Sequence, residues 1–205
     1  MPDGRRDPVA TDRRTAILEA AARTIARRGV RGLRTEELAA EAGVSTALVF
    51  YHFKDRAGIL RHTLEFITDR AKRHSLARQG SDGPVDPREL LGMALQLEFE
   101  ALSEMHENAT TWSELRAGAI FEPELRGALA AASAAWVQHV AGLLTLVRPA
   151  ASAAERDASA ERLTALREGL SARRLSGVLH PDHARELLGE AIEVELAYLA
   201  AHARP

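Results

Sequence analysis

Few residue types in this chain of 205 residues could do chemistry. There is no cysteine, so a disulfide framework, a thiolate zinc site, an iron–sulfur cluster and a cysteine nucleophile are excluded. His180-Pro181-Asp182-His183 holds the only histidine pair at ligand-like spacing. It falls at an expected helix start and has no third donor nearby in sequence, so no metal is expected there. No HExxH, nucleophile elbow or glycine-rich phosphate loop is present. The abundant paired carboxylates read as solvated helix faces. No catalytic residue and no cofactor is therefore expected. What remains is a run of hydrogen-bonding side chains within twenty-odd positions: Thr35, Ser45, Thr46, Tyr51, His52, Lys54 and Arg56. Hydroxyl, imidazole, ammonium and guanidinium groups are the ones that bond phosphate oxygens and base edges.

The charge distribution supports a polyanionic partner for that run. Residues 1–80 carry sixteen Lys/Arg and ten Asp/Glu, and residues 81–205 carry eleven and nineteen. The formal net charge of -2 thus conceals a surplus of six positive charges in the first part and eight negative charges in the second. A basic part joined to an acidic part suggests that the first meets a polyanion and the second does not. No stretch approaches the ~18 uninterrupted apolar residues of a membrane span. The charged segment Met1–Arg14 lacks the apolar core of a signal peptide. The expected location is the cytoplasm, with no membrane partner.

The elements that must position these groups are helical. Aromatic residues make up 4% of the chain, and thirty-nine alanines with few Val/Ile/Thr runs favour helix throughout. Residues 1–10 read as a flexible arm bearing Arg5 and Arg6; these two, with Arg13 and Arg14, either reach DNA or remain solvated. Helices are expected at about 11–28, 35–43, 45–53, 56–77, 87–106, 109–119, 122–147, 153–175 and 181–202. Pro123, Pro149 and Pro181 fall at the gaps between them. The segment Gln79–Pro87 is the clearest break and coincides with the charge boundary. The expected organisation is an arm at 1–10, a first domain at 11–56, a linking helix at 56–77, and a second domain at 78–205.

The segment Thr35–Phe53 has the pattern of two crossed helices. Thr35 can cap the first, with Glu36 and Glu37 favourable in its opening turn. Leu38, Ala42, Val44 and Val49 can form a small core, with Phe50 and Phe53 also expected inside. Ala39 is small where the second helix crosses, Gly43 supplies a positive-φ corner, and Ser45 caps the second helix. A preceding helix with Ile17, Ala20, Ala21, Thr24 and Ile25 on one face completes a three-helix unit. A turn this compact can aim the second helix into a major groove.

These motifs resemble the tetracycline-repressor (TetR) family of bacterial transcriptional regulators over about residues 11–60. The resemblance rests on the Ile-x-x-Ala-Ala helix followed by Gly29, Thr35-x-x-Leu-Ala, Ala42-Gly43-Val44-Ser45, and Phe50-Tyr51-His52-Phe53 followed by Lys54-x-Arg56-x-x-Ile-Leu. It implies an all-α homodimer: an N-terminal three-helix helix-turn-helix DNA-binding domain, then a C-terminal helical ligand-binding and dimerisation bundle. Carried over by position, Thr35 and Ser45 would touch phosphates, Thr46 and Ala47 would face base edges, Tyr51, His52 and Lys54 would grip the backbone, and Arg56 would lie near phosphate. The sequence departs from the family pattern at Thr46-Ala47, at Phe50 where Tyr is usual, and at the acidic Asp55.

In the second part, Glu98 falls inside the apolar arc of helix 87–106, where a buried carboxylate must be paired or protonated. The family resemblance places an effector cavity among helices 87–147. The expected pocket residues are Leu97, Glu98, Trp112, Arg116, Trp136 and His139, and the expected effector is a small, largely lipophilic molecule. The alternative for Glu98 is a structural pair with Arg116. The last helix is apolar over about 200° of its circumference, wider than one core contact needs. That suggests packing against a second copy, with Glu195 paired to Arg173 or Arg174. By resemblance, helices 153–175 and 181–202 form the dimer, and two reading heads imply a palindromic operator. The expected partners are double-stranded DNA, a small-molecule effector and a second copy. A helical-bundle enzyme or carrier without DNA binding is the alternative function.

Overall fold

The computed structural model describes residues 8–79, 86–100 and 102–202. Among these residues there are nine α-helices and no strand: α1 Pro8–Arg28, α2 Thr35–Glu41, α3 Thr46–Phe53, α4 Arg56–Gln79, α5 Pro87–Gln96, α6 Ser103–Gly118, α7 Arg126–Val147, α8 Ala153–Leu175 and α9 Pro181–Ala201. Short 3-10 turns at Val30–Gly32, Leu97–Phe99 and Pro123–Leu125 join some of them. The all-α class is as expected. The expected arm lies outside the described residues except for Pro8–Ala10, which open α1. Of the expected break at 79–87, Gln79 closes α4, Asp86 caps α5, and the residues between fall outside the described part.

The chain divides into two compact units, one of Met1–Arg70 with Thr110–Leu129 and the other of Ala71–Ala109 with Ala130–Pro205. This differs from a split at residue 78. The reason lies in the second half of α6. Within the first unit Thr111 Oγ1 donates to the Ala22 carbonyl at 3.1 Å, and a Glu114 carboxylate oxygen accepts the Val30 amide at 3.2 Å. These bonds tie Thr110–Gly118 to the N-terminal helices.

In the first unit, α1 packs on α2, and α2 on α3. The core holds Ile17, Ala20, Ala21, Thr24 and Ile25 of α1 with Leu38, Ala39, Val49 and Phe53, and Ile59, Leu60 and Leu64 of α4. The expected face of α1 is thus buried whole. Gly29 ends α1 at φ +73°, a backbone conformation that calls for glycine.

In the second unit, α8 pairs with α9, and α5 lies on α9. Leu91, Leu95, Phe99, Val140, Leu144, Leu163, Leu170 and the α9 series Ala184, Leu188, Ile192, Leu196, Leu199 share one core. The Ala-rich stretch after Pro149 is helical from Ala153 because Ser152 and Glu155 form a reciprocal capping box. The helix expected over 87–106 is broken: α5 ends at Gln96, and α6 begins at Ser103. The break lets both Leu97 and Phe99 be buried while Glu98 meets a partner on α8. One helix, Pro123–Val147 with hydropathy 1.4, is long and apolar enough by length and composition to cross a membrane. Ser133, Gln138, His139 and Thr145 interrupt it, and Val140, Leu143 and Leu144 join the core of the second unit.

Candidate nucleic-acid interface and effector site

The corner between α2 and α3 is built as the residue pattern requires. Gly43 has φ +66°, and a Cβ would meet nothing within 4 Å, so the glycine answers a backbone need rather than a steric one. Ser45 is the N-cap of α3, its hydroxyl accepting the Leu48 amide at 3.2 Å. Thr35 is not a cap: it is the first residue of α2, after Arg34, whose side chain makes no capping bond. Leu38 and Val49 are fully buried, whereas Ala42 and Val44 are half-buried. Phe53 is core, but Phe50 is 46% exposed, contrary to expectation. Its position on α3 turns it outward on the face of Ala47, three residues before it.

The outer surface of α3 carries the candidate groups. Ala47 and Lys54 are exposed, Thr46 and His52 half-exposed, and Tyr51 is 81% exposed. A tyrosine that open leaves a large amphipathic side chain unused by the fold. The Tyr51 and His52 rings meet edge-on at 5.3 Å. Partial burial, then the Arg14 guanidinium, hold the His52 imidazole below its usual pKa. Arg14 itself is engaged over the Phe53 ring at 5.5 Å and against His62 Nδ1 at 3.2 Å, whereas Arg13 is exposed. Arg5 and Arg6 lie outside the described residues. Asp12, Arg13 and Ala16 of α1 face Ala42–Ser45 and Leu48 across a groove of about 340 Å³.

Lys54 closes α3 in an unusual way. It is the one non-glycine residue among those described with positive φ, at φ 66° and ψ -55°. The Asp55 amide donates to the Phe53 carbonyl at 2.8 Å, which makes Lys54 the centre of a γ-turn. Asp55, an apparent departure from the family pattern, caps α4 by accepting the Gly58 amide at 2.7 Å. A Cβ on Gly58 would lie 2.0 Å from the Phe53 carbonyl oxygen, so only glycine allows this approach. Arg56 is engaged inside the unit. Its guanidinium donates to Glu122 at 2.6 Å and to the Val30 carbonyl at 2.8 Å, so those donors are not available to phosphate.

The six residues expected to line a pocket are divided between the units. Trp112 and Arg116 belong to the first, and Leu97, Glu98, Trp136 and His139 to the second. Glu98 pairs with Arg167 of α8 rather than with Arg116. The Arg167 guanidinium stacks over Trp136 at 4.6 Å from the ring centroid, and Trp136 lies 5.6 Å from the His139 ring. Desolvation, then the Lys72 ammonium, lower the His139 pKa, although its outer edge remains exposed. Arg167 was not singled out from the sequence. Its spacing of seven from Arg174 on α8 was the available signal, since that spacing puts both on one face. Glu195 pairs with Arg162, not with Arg173 or Arg174. Burial pushes its pKa up, but hydrogen bonds from Arg162 and Ser159 outweigh this and leave it lowered. His180 caps α9 and His183 faces Glu186 at 3.1 Å. Among the described residues no cluster of three or more His, Cys, Asp or Glu could hold a metal.

A compact helical unit with a glycine corner, a capped second helix and polar groups on that helix's outer face defines a helix-turn-helix protein. The family profile described as bacterial regulatory proteins, tetR family, matches residues 17–63. A Rhodococcus sp. structure assigned to the TetR-family transcriptional regulators is 40% identical, with a TM-score of 0.82 over 91% of this chain and 99% of that one. A transcriptional regulator from Saccharomonospora viridis, solved in complex with choline, is 28% identical, with a TM-score of 0.75 over 89% and 96%. The HTH-type transcriptional regulator BetI of Paraburkholderia phytofirmans is 28% identical over 114 residues, and the match spans 58% of its length. The chain belongs to the TetR family of transcriptional regulators, which are DNA-binding proteins rather than enzymes.

Proposed function

We propose that this regulator is a homodimeric repressor that reads a palindromic operator and leaves it when a small, largely apolar effector binds. The observation that carries the DNA reading is the outer face of α3, where Tyr51 stands 81% exposed beside Thr46, Ala47, His52 and Lys54. Thr46 and Ala47 face base edges. Thr35, Ser45, Tyr51, His52 and Lys54 take the phosphates, and the groove beside Ser45 and Arg13 receives the backbone edge. Arg56 supports this surface through Glu122 and Val30 instead of touching DNA.

Dimerisation through α8 and α9 is supported by what their own core leaves uncovered. Leu166 is 38%, Val194 66% and Tyr198 38% exposed, beside the exposed small residues Ala165, Gly169 and Ala197. Helix faces of that composition pack closely on a copy of themselves. Two heads related by a two-fold axis read two inverted half-sites.

The effector is held in the second unit near Leu97, Glu98, Trp136 and His139, and the choline complex of the Saccharomonospora neighbour supports a small-molecule ligand. α4 and α6 each contribute residues to both units and transmit the effect. Effector acts only through its differential affinity for DNA-competent and released arrangements. A regulator of this kind works in the cytoplasm, where the chromosome lies.

The test is selection of bound fragments from a random DNA pool. Recovery of inverted repeats one or more helical turns apart is expected. Recovery of unsymmetrical sequences, or of none, would overturn the reading.

A further inference from the structure

At one place in the second unit two guanidiniums gather at a single carboxylate. Arg167 and Arg174 project from one face of α8 toward Glu98 and Phe99 of the Leu97–Phe99 turn. Glu98 is 13% exposed and Arg167 19%, and the two form an ion pair. The Arg174 guanidinium lies 5.9 Å from the Phe99 centroid and 3.2 Å from His106 Nδ1. Desolvation lowers its pKa, against the opposing pull of Glu98.

Hydrogen-bond accounting is lopsided in the same direction. Arg167 Nε, Arg174 Nε, Arg174 Nη2 and Trp136 Nε1 are buried donors without partners. Against them stands one unpartnered carboxylate oxygen, Glu98 Oε1, with the Thr164 hydroxyl able to serve either way. Buried guanidinium donors are seldom left unmade, because water has been lost and nothing has replaced it. Two guanidiniums and one carboxylate leave one positive charge uncompensated.

From this surplus we infer that the Arg167–Arg174 face of α8 binds a small organic monocarboxylate whose apolar body lies against Trp136 and Phe99. The inference rests on the effector reading above and gives that effector a charge. One carboxylate supplies the missing negative charge and acceptors for the forked donors. The same geometry disfavours a quaternary ammonium such as choline. A further cation would meet two guanidiniums gathered at one carboxylate. Glu98 acts as an internal competitor for the arginines.

The test uses the full chain and thermal melting with benzoate, octanoate and choline. At a hundredfold excess over Kd, benzoate or octanoate should raise the melting midpoint by about 5 °C or more, and choline should leave it unchanged. Arg174→Gln should weaken carboxylate binding by about tenfold or more. Arg174→Lys, which retains the charge without the fork, should weaken it less. Glu98→Gln should tighten binding, because it removes the competing charge; a purely structural pair would show lower stability with no gain in affinity. Stabilisation by choline but not by the carboxylates, silence toward both carboxylates, or weaker binding in Glu98→Gln would overturn the inference. A protein that selects palindromic DNA yet ignores carboxylates defeats this inference alone. One that binds carboxylates yet selects no DNA defeats the regulator reading.

Discussion

Holding a lysine at φ 66° costs about 1–2 kcal/mol relative to glycine. Such strain persists where the surroundings fix it, commonly at functional positions. At Lys54 it sets the corner between α3 and α4 and leaves the ammonium exposed. Lys54→Gly should raise folding stability by about 0.5–1 kcal/mol, seen in denaturant melts, once glycine's added chain entropy is counted. The same variant should weaken DNA binding to all sequences and reduce the salt slope by about one. Lys54→Met should lose the DNA contact and keep the strain. His52 offers a second residue-scale test. Its pKa is lowered by partial burial first and by Arg14 second, so the free protein holds it neutral. A phosphate favours the protonated form. Operator affinity should therefore rise as pH falls through and below the usual imidazole range, and His52→Gln should flatten that dependence at fixed salt. Stability runs the other way: protonation is disfavoured in the fold, so His52's contribution is complete at higher pH and is lost in acid.

Among the elements, the α3–α4 corner depends on one missing methyl group. Gly58→Ala would place Cβ 2.0 Å from a backbone oxygen that cannot swing aside. It should cost about 2–3 kcal/mol and lower the melting midpoint measurably. If it melted like the parent, the close approach of α4 to Phe53 would be wrong. The corner was readable from Gly43 and Ser45, because positive φ and capping are local demands. Thr35 misled because a capping residue type can also stand one place inside a helix. Phe50 misled because an aromatic ring in a short helix says nothing about which face it occupies until the neighbours are placed. The α5–α6 break was not legible, since no proline or glycine marks residues 97–102. It follows from burying Leu97 and Phe99 together, which one continuous helix would set 200° apart. The cap of α8 was available as Ser152-x-x-Glu155, a local signal that predicts a helix start.

At the scale of the molecule, the apolar arc of α9 is wider than its own core covers. Leu188, Ile192, Leu196 and Leu199 serve its own unit, and Val194 and Tyr198 remain outside. Val194→Asp should leave the chain folded by circular dichroism but monomeric by light scattering. Operator affinity should drop steeply with it, because each head then binds alone without the effective concentration that a dimer supplies. A dimeric Val194→Asp protein would place the interface elsewhere.

The sequence by itself determined the helical class, the glycine corner between Thr35 and Phe53, and the family. These rest on periodicity, capping and backbone conformation, which act over a few residues and leave their marks at fixed spacing. Only the tertiary structure decided that Glu98 answers to Arg167, that Glu195 answers to Arg162, that Arg56 is engaged by Glu122, and that Thr110–Leu129 joins the N-terminal unit. An ion pair between distant helices depends on which faces meet and at what height. Many carboxylates and guanidiniums in a charged, alanine-rich chain satisfy the same local pattern, and only packing selects among them.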